Sequence, residues 1–149
     1  MVVAKNRYLV FEIFTEGSKD LVLTHSSIMN AIRESVLQNF GEFGVASTLT
    51  SLQVKYVNPV TKLCVIRCSR TEYEKVWAAV TFITNMRGCP LFFNLLDLSG
   101  NIRCCRSVTL EYDKAKIELL KLSSAKNQIT PAQLLAASSC LEKISQLEM

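Results

Sequence analysis

The sequence predicts an α+β fold, a ferredoxin-like or RNP-like α/β sandwich. Three observations carry that prediction. Hydrophobic periodicity alternates between two and about four along the chain, in the order strand, helix, strand, strand, helix, strand. Capping residues open the helical segments, and a turn sequence separates the two middle strands. That order is the split β-α-β-β-α-β motif, with two helices over one face of a four-stranded antiparallel sheet. Two more helical segments follow, so the prediction adds C-terminal helices. The other sheet face is left for water, a further helix or a partner.

The elements run as follows. In RYLVFEIF, residues 7–14, Leu9, Phe11 and Ile13 share one face while Tyr8, Val10, Glu12 and Phe14 share the other. A helix follows from Thr24 or Ser26 as N-cap, with Ile28, Ile32, Val36 and Phe40 as its stripe. Gly41 suits its C-terminal stop, and Gly41-Glu42-Phe43-Gly44 reads as a loop. TSLQVKYV places Leu52, Val54 and Tyr56 on one side; the turn NPVT joins it to the strand KLCVIRCS. Ser69-Arg70-Thr71-Glu72 is a capping box that opens a helix in which Tyr73, Val76, Trp77, Val80 and Ile83 follow helical spacing. Gly88 and Pro90 stop it, and LFFNLLDL, residues 91–98, is apolar on both faces, as a central strand is. SVTLEY alternates Val108, Leu110 and Tyr112, as a short strand would, but the charged stretch EYDKAKIELLK favours helix, so a helix broken at most once is expected from about Asn101 to Leu122. Thr130-Pro131-Ala132-Gln133 is a second capping box, opening a helix over 131–147 with Leu134, Ala137, Leu141 and Ile144 as its stripe. The domain division read from this is 1–122, then a linker and C-terminal helix over 123–149.

The totals narrow the class. With 149 residues the chain makes one domain with a real core. Hydrophobic residues make up 49%, and mean hydropathy is +0.21, yet no run is long enough to span a bilayer. The N-terminal stretch carries Lys5, Arg7 and Glu12 and does not read as a secretory signal. The apolar surplus is therefore expected to meet a partner rather than a membrane. Net charge is +4, which permits a polyanion partner without demanding one. Six cysteines, Cys64, Cys68, Cys89, Cys104, Cys105 and Cys140, lack C-x-x-C spacing and have one histidine for company. They read as small, reduced, buried side chains rather than a zinc site, and no cofactor is expected. His25 sits in a capping turn with no nucleophile near it, and Asp97 has no carboxylate partner in its strand. No phosphate-binding loop or dinucleotide fingerprint is present. Gly41-x-x-Gly44 is too short a signal to identify an RNA clamp.

One stretch, SGNIRCCRS, residues 99–107, has the context of an anion site. A strand ends, Ser99-Gly100-Asn101 turns, and a helix begins with unpaired amides at the positive end of its dipole. Glycine admits close backbone approach, and Arg103 and Arg106 lie on one side of the first turn. Guanidinium groups beside such amides hold phosphate. Cys105 is spaced to face the sheet with Ile102, leaving Cys104 outward. Lys55 and Arg67 are the other candidates. A two-residue turn at Pro59-Val60 sets them on opposite faces, and an odd-length loop sets them together. The proposed contacts are thus Arg103, Arg106, Lys55, Arg67, Gly100 and Asn101.

Together these residues resemble a known family. Arg7-Tyr8-Leu9, Gly41-x-x-Gly44, Val54-Lys55-Tyr56 with Asn58, Arg67-Cys68, Trp77 with Phe82-Ile83-Thr84, and Phe92-Phe93-Asn94 leading to Gly100-x-Ile102-Arg103-x-Cys105 occur in its order and spacing. The family is the small protein subunit of ribonuclease P and ribonuclease MRP, fifth of the "processing of precursors" proteins. The resemblance covers about residues 5–121. Val3 stands where a basic residue is common, Asn101 where threonine is usual, and the acidic tail of some relatives is absent. The resemblance implies a non-catalytic subunit that braces a catalytic RNA for 5′-leader removal from precursor tRNA and for precursor rRNA processing. It implies contact with that RNA, with a TIM-barrel-like protein subunit and with other subunits. Precursor tRNA is met indirectly, self-association is possible in the family, and the location is nucleus and nucleolus.

Two other functions compete. A free-standing single-stranded RNA binder of the recognition-motif type needs exposed aromatics on the open sheet face, where Tyr8 and Phe14 are the candidates; KLCVIRCS carries no stacking aromatic. A protein-only interaction module would use its basic residues for solubility alone.

Overall fold

The computed structural model describes residues 5–16, 23–124, 139–140 and 142–144. Its elements are β1 (Asn6–Thr15), α1 (His25–Leu49), β2 (Gln53–Asn58), β3 (Leu63–Ser69), α2 (Tyr73–Thr81), β4 (Asn85–Met86), β5 (Cys89–Ser99) and α3 (Ile102–Ser124). The antiparallel sheet has the order β2-β3-β1-β5-β4. This is the predicted α+β sandwich with one added strand. β4 is only Asn85–Met86, too short to show a period, and it closes a tight turn onto Cys89–Pro90.

One sheet face packs on α1 and α2. Leu9, Phe11 and Ile13 of β1 meet Cys64, Ile66 and Cys68 of β3, with Ile28, Ile32 and Val36 of α1 and Val76, Ala79 and Val80 of α2 above them. Ser35 ties the two helices by donating to the carbonyl of Ala79 at 2.5 Å. Thr24 is the N-cap of α1: its hydroxyl accepts from the Ser27 amide at 3.1 Å while Ser27 Oγ accepts from the Thr24 amide. The helix breaks at Gly41, where a stop was expected, but a second helical stretch follows directly. That residue, at φ +71 and ψ −172, kinks the helix, which then continues to Leu49. Beyond the break, 42–44 of the expected loop are helical because Gly44 and Thr48 are buried, and packing overrides the turn-like composition. Only glycine holds that backbone geometry without strain, so Gly41→Ala is expected to lower stability by about 1–3 kcal/mol, read as a lower urea midpoint. No atom lies within 4 Å of the missing Cβ, so any loss comes from backbone strain rather than a clash.

The capping box at 69–72 does not form. Ser69 Oγ instead contacts Thr71 Oγ1, and α2 begins after Glu72, whose side chain pairs with Lys75 at 3.0 Å. A backbone bond from Glu72 to the Ser69 carbonyl spends the intervening residues on a turn.

The second sheet face is covered by α3, unbroken from Ile102 to Ser124. Tyr8, Val10, Tyr56 and Val65 meet Ile102 and Cys105 there, with Ile144 closing the cluster. This explains why β5 is apolar on both faces although it has only the two-residue β4 beyond it. Cys140 and Ile144 are helical residues that pack on this cluster. The second capping box and most of the predicted 131–147 helix lie outside the described residues. α3 is pinned by polar groups as well. Glu12, buried in β1, accepts from Tyr112 and pairs with Lys116. Asp113, fully buried, accepts from Tyr56 and Thr61 at 2.5 Å each, and from Asn58.

Candidate nucleic-acid interface

Antiparallel pairing gathers the basic candidates. Tyr8 lies opposite Arg67 on one side and Ser99 on the other, and Gln53 lies opposite Arg67. The start of β2, the end of β3, the start of β1 and the start of α3 therefore share one end of the sheet. Three strand spacings make its width about 14 Å. Lys55, Arg67, Arg103 and Arg106 all lie at this end.

The Lys55–Arg67 question is answered by a bulge, not by the turn. Asn58 pairs with Leu63, so the loop is even in length and a regular ladder would set Lys55 against Ile66, in the core. The register instead shifts between Val54 and Tyr56, leaving Lys55 as the extra residue. Lys55 escapes the core and lies near Arg67. Partial burial and the Arg67 charge together lower its pKa. The same bulge moves Tyr56 to the α3 face, away from Leu52 and Val54, correcting the single-sided reading of that strand. Arg67 is half-buried, with its Nε shielded and without a hydrogen-bond partner among the described residues.

At the start of α3, Asn101 acts as N-cap: its Oδ1 accepts from the Arg103 amide at 2.9 Å. Ser99 Oγ accepts from the Asn101 amide at 3.1 Å. One helix-start donor expected to be free is therefore spent within the chain. Arg103 is exposed, and neither the Lys75–Glu72 nor the Lys116–Glu12 ion pair involves it. Arg106 is half-buried one turn on. Ile102 and Cys105 face the sheet and Cys104 is exposed, as their spacing predicts.

Gly100 does not present an open approach. A Cβ there would lie 2.9 Å from Nη1 of Arg7, whose guanidinium occupies that space. Arg7 belongs to this end, as do Lys5 and Arg70, whose amide donates to the Lys5 carbonyl at 2.9 Å. Sequence reasoning missed all three as contacts. The signal was the register: Asn6 and Arg7 pair with Ser69 and Cys68, next to Arg67.

Three of the cysteines, Cys64, Cys68 and Cys105, are not poised for chemistry. Burial pushes the Cys64 and Cys68 thiols up to about 12 and Cys105 to about 11, so each is a protonated packing group at neutral pH. Tyr8, the main aromatic candidate for base stacking, is 3% exposed beneath α3. Phe14 is more open but stacks on Phe92 at 4.8 Å, at the far end of the sheet.

Fold and site together define a small α/β sandwich whose recognition-motif face is sealed by its own helix and whose cations converge on one sheet end. This chain belongs to the Rpp14/Pop5 family, whose model matches residues 7–110. It is 44% identical to the probable ribonuclease P/MRP protein subunit POP5 of Arabidopsis thaliana, over 99% of each chain. It is 33% identical to the ribonuclease P/MRP protein subunit POP5 of Schizosaccharomyces pombe, over 82% of this chain and 95% of the relative. With the human subunit of that name it shares 30% identity over 80% of this chain and 77% of the relative. The fold is similar to a chain in the cryo-EM structure of yeast ribonuclease MRP, with TM-score 0.54 and 12% identity over 98% and 95% of the two chains.

Proposed function

We propose that this protein is a non-catalytic subunit of ribonuclease P and ribonuclease MRP that braces the catalytic RNA through the basic end of its sheet. The observation that carries the reading is the convergence of Lys55, Arg67, Arg103 and Arg106 on one end from three separate elements, β2, β3 and α3. Family membership and the names of the relatives support it. The assembly removes 5′ leaders from precursor tRNA and processes precursor rRNA, with the RNA subunit performing the cleavage. Precursor tRNA meets this chain indirectly, and the working location is nucleus and nucleolus.

The protein contacts proposed are the TIM-barrel-like subunit, other subunits and a further copy of this chain. Exposed Leu37, Phe40, Phe43 and Trp77 on the outer surfaces of α1 and α2 offer apolar area for them, and Phe43 is 80% exposed. Burial of Tyr8 counts against a free-standing single-strand binder, because base stacking needs an open aromatic face.

Arg103→Ala is expected to weaken binding to the ribonuclease P RNA and to reduce the slope of log K against log salt by about one contact. Fluorescence anisotropy across a salt series measures both. An unchanged slope refutes the assignment of Arg103. Sequencing the RNA that co-purifies with the tagged protein tests the whole proposal; absence of ribonuclease P and MRP RNA refutes it.

A further inference from the structure

We propose that Arg7 is a phosphate-gripping residue of this interface and that Gly100 is glycine in order to seat it. The inference rests on the reading of this sheet end as an RNA interface. Among the described residues the positive-φ ones are Gly41, Gly88, Lys62 and Arg87, so the backbone conformation of Gly100 does not demand glycine. What glycine supplies is the space that the Arg7 guanidinium fills. A Cβ at 100 would stand 2.9 Å from Nη1, 3.4 Å from Cζ and 3.9 Å from Nε of Arg7, so the guanidinium lies against the bare Cα.

The side chain is held in place but not neutralised. Nη1 donates to the Asn6 carbonyl at 3.1 Å, and no carboxylate among the described residues pairs with Arg7. A guanidinium has five N–H donors, so most remain for a ligand. Its planar fork matches two oxygens of one phosphodiester. Lys5, Arg67, Arg70 and Arg103 extend the same sign of charge across this end. A single carboxylate of a protein partner does not need so wide a field, whereas a sugar-phosphate backbone does. Arg7 in β1 and Arg103 in α3 then flank the Ser99–Asn101 turn, and the backbone runs between them.

The test uses the full chain and, as probe, an RNA hairpin with a stem of about ten base pairs, the form recognised through its backbone. Arg7→Gln is expected to weaken binding about tenfold at low salt and to lower the salt slope by about one. Gly100→Ala should push the guanidinium aside, a small movement at the end of a flexible chain, and cause a smaller loss of about two- to threefold. The double variant should bind no worse than Arg7→Gln alone, because both changes act on one contact. Arg7→Lys should keep the slope while losing part of the affinity.

Thermal unfolding checks that each variant folds. If Gly100→Ala does not, Arg7→Gln decides the matter, since it leaves the turn intact. Normal binding by Arg7→Gln beside a weakened Arg103→Ala overturns the inference and leaves the RNA reading standing. Additive losses in the double variant overturn the seating role of Gly100. Wild-type binding that does not respond to salt overturns the RNA reading and the inference with it. A loss seen only with polyglutamate, and not with RNA, assigns Arg7 to an acidic protein and also overturns it.

Discussion

Asp113→Ala is expected to lower the unfolding free energy by about 3–4 kcal/mol, the largest single-residue effect at the α3 face. The carboxylate is fully buried and accepts hydrogen bonds from Tyr56, Asn58 and Thr61. Truncation strands those donors under α3, and each unsatisfied buried group costs about 1–3 kcal/mol. Asn58 also organises the β2–β3 loop, accepting from the amides of Val60 at 3.0 Å and Thr61 at 3.3 Å. Loss of the node therefore loosens the hairpin and helix together. Urea unfolding should show a lower midpoint, and a midpoint within experimental error of wild type refutes the argument. Asp113→Asn keeps the volume but turns an acceptor into a donor, so a smaller loss of about 1–2 kcal/mol is expected.

The same residue gives a pH dependence with a definite sign. Burial raises the Asp113 pKa above 3.8, against the opposing effect of its hydrogen-bond donors. A carboxyl with a raised folded-state pKa binds its proton more tightly in the native chain, so its contribution is fully present below the unfolded value and is lost as pH rises through the folded one. The stability of wild type relative to Asp113→Asn should therefore fall as pH rises from about 4 toward neutrality. Urea midpoints of both proteins across that range measure it. A relative stability that rises with pH would mean that the hydrogen bonds outweigh burial.

The sandwich was legible because its strands and helices differ in hydrophobic period. Leu9, Phe11 and Ile13 alternate, whereas Ile28, Ile32 and Val36 step by four, and both sets are buried where those periods put them. Thr24 capped as its position predicts, and the helix after Gly100 begins where Asn101 allows. What failed depended on information outside the local window. The turn composition of 41–44 gave no hint that Gly44 would be packed into α1. Loop parity could not reveal a bulge at Lys55, which arises because a lysine at a core-facing position is expelled more cheaply than it is buried. The candidate cations were partly legible. Arg103 and Arg106 were visible as a local cluster, but Arg7 meets Gly100 only after β1 and β5 have paired. Local sequence shows which residues bear charge, whereas strand register determines which charges meet.

The largest functional effect is expected from removing three charges at this end together. The variant Lys55→Gln, Arg67→Gln, Arg103→Gln should bind ribonuclease P RNA about 100-fold more weakly at ~0.1 M salt, with the salt slope reduced by about two to three. Glutamine keeps much of each aliphatic stem, so packing around half-buried Arg67 is disturbed less than by alanine. The essential comparison is Arg33→Gln, Arg87→Gln, Lys114→Gln. It removes the same charge from exposed sites outside that end. If the protein attracts RNA only through its net charge of +4, the two triple variants must weaken binding equally. If the phosphates are held where the strand register gathers the cations, the control should keep nearly all the affinity and slope, because counterions are released only at sites of contact. Equal losses would show a diffuse electrostatic attraction and sink the localised interface. Unequal losses in the stated direction would fix the RNA to the end of the sheet, leaving the apolar surfaces of α1 and α2 for protein.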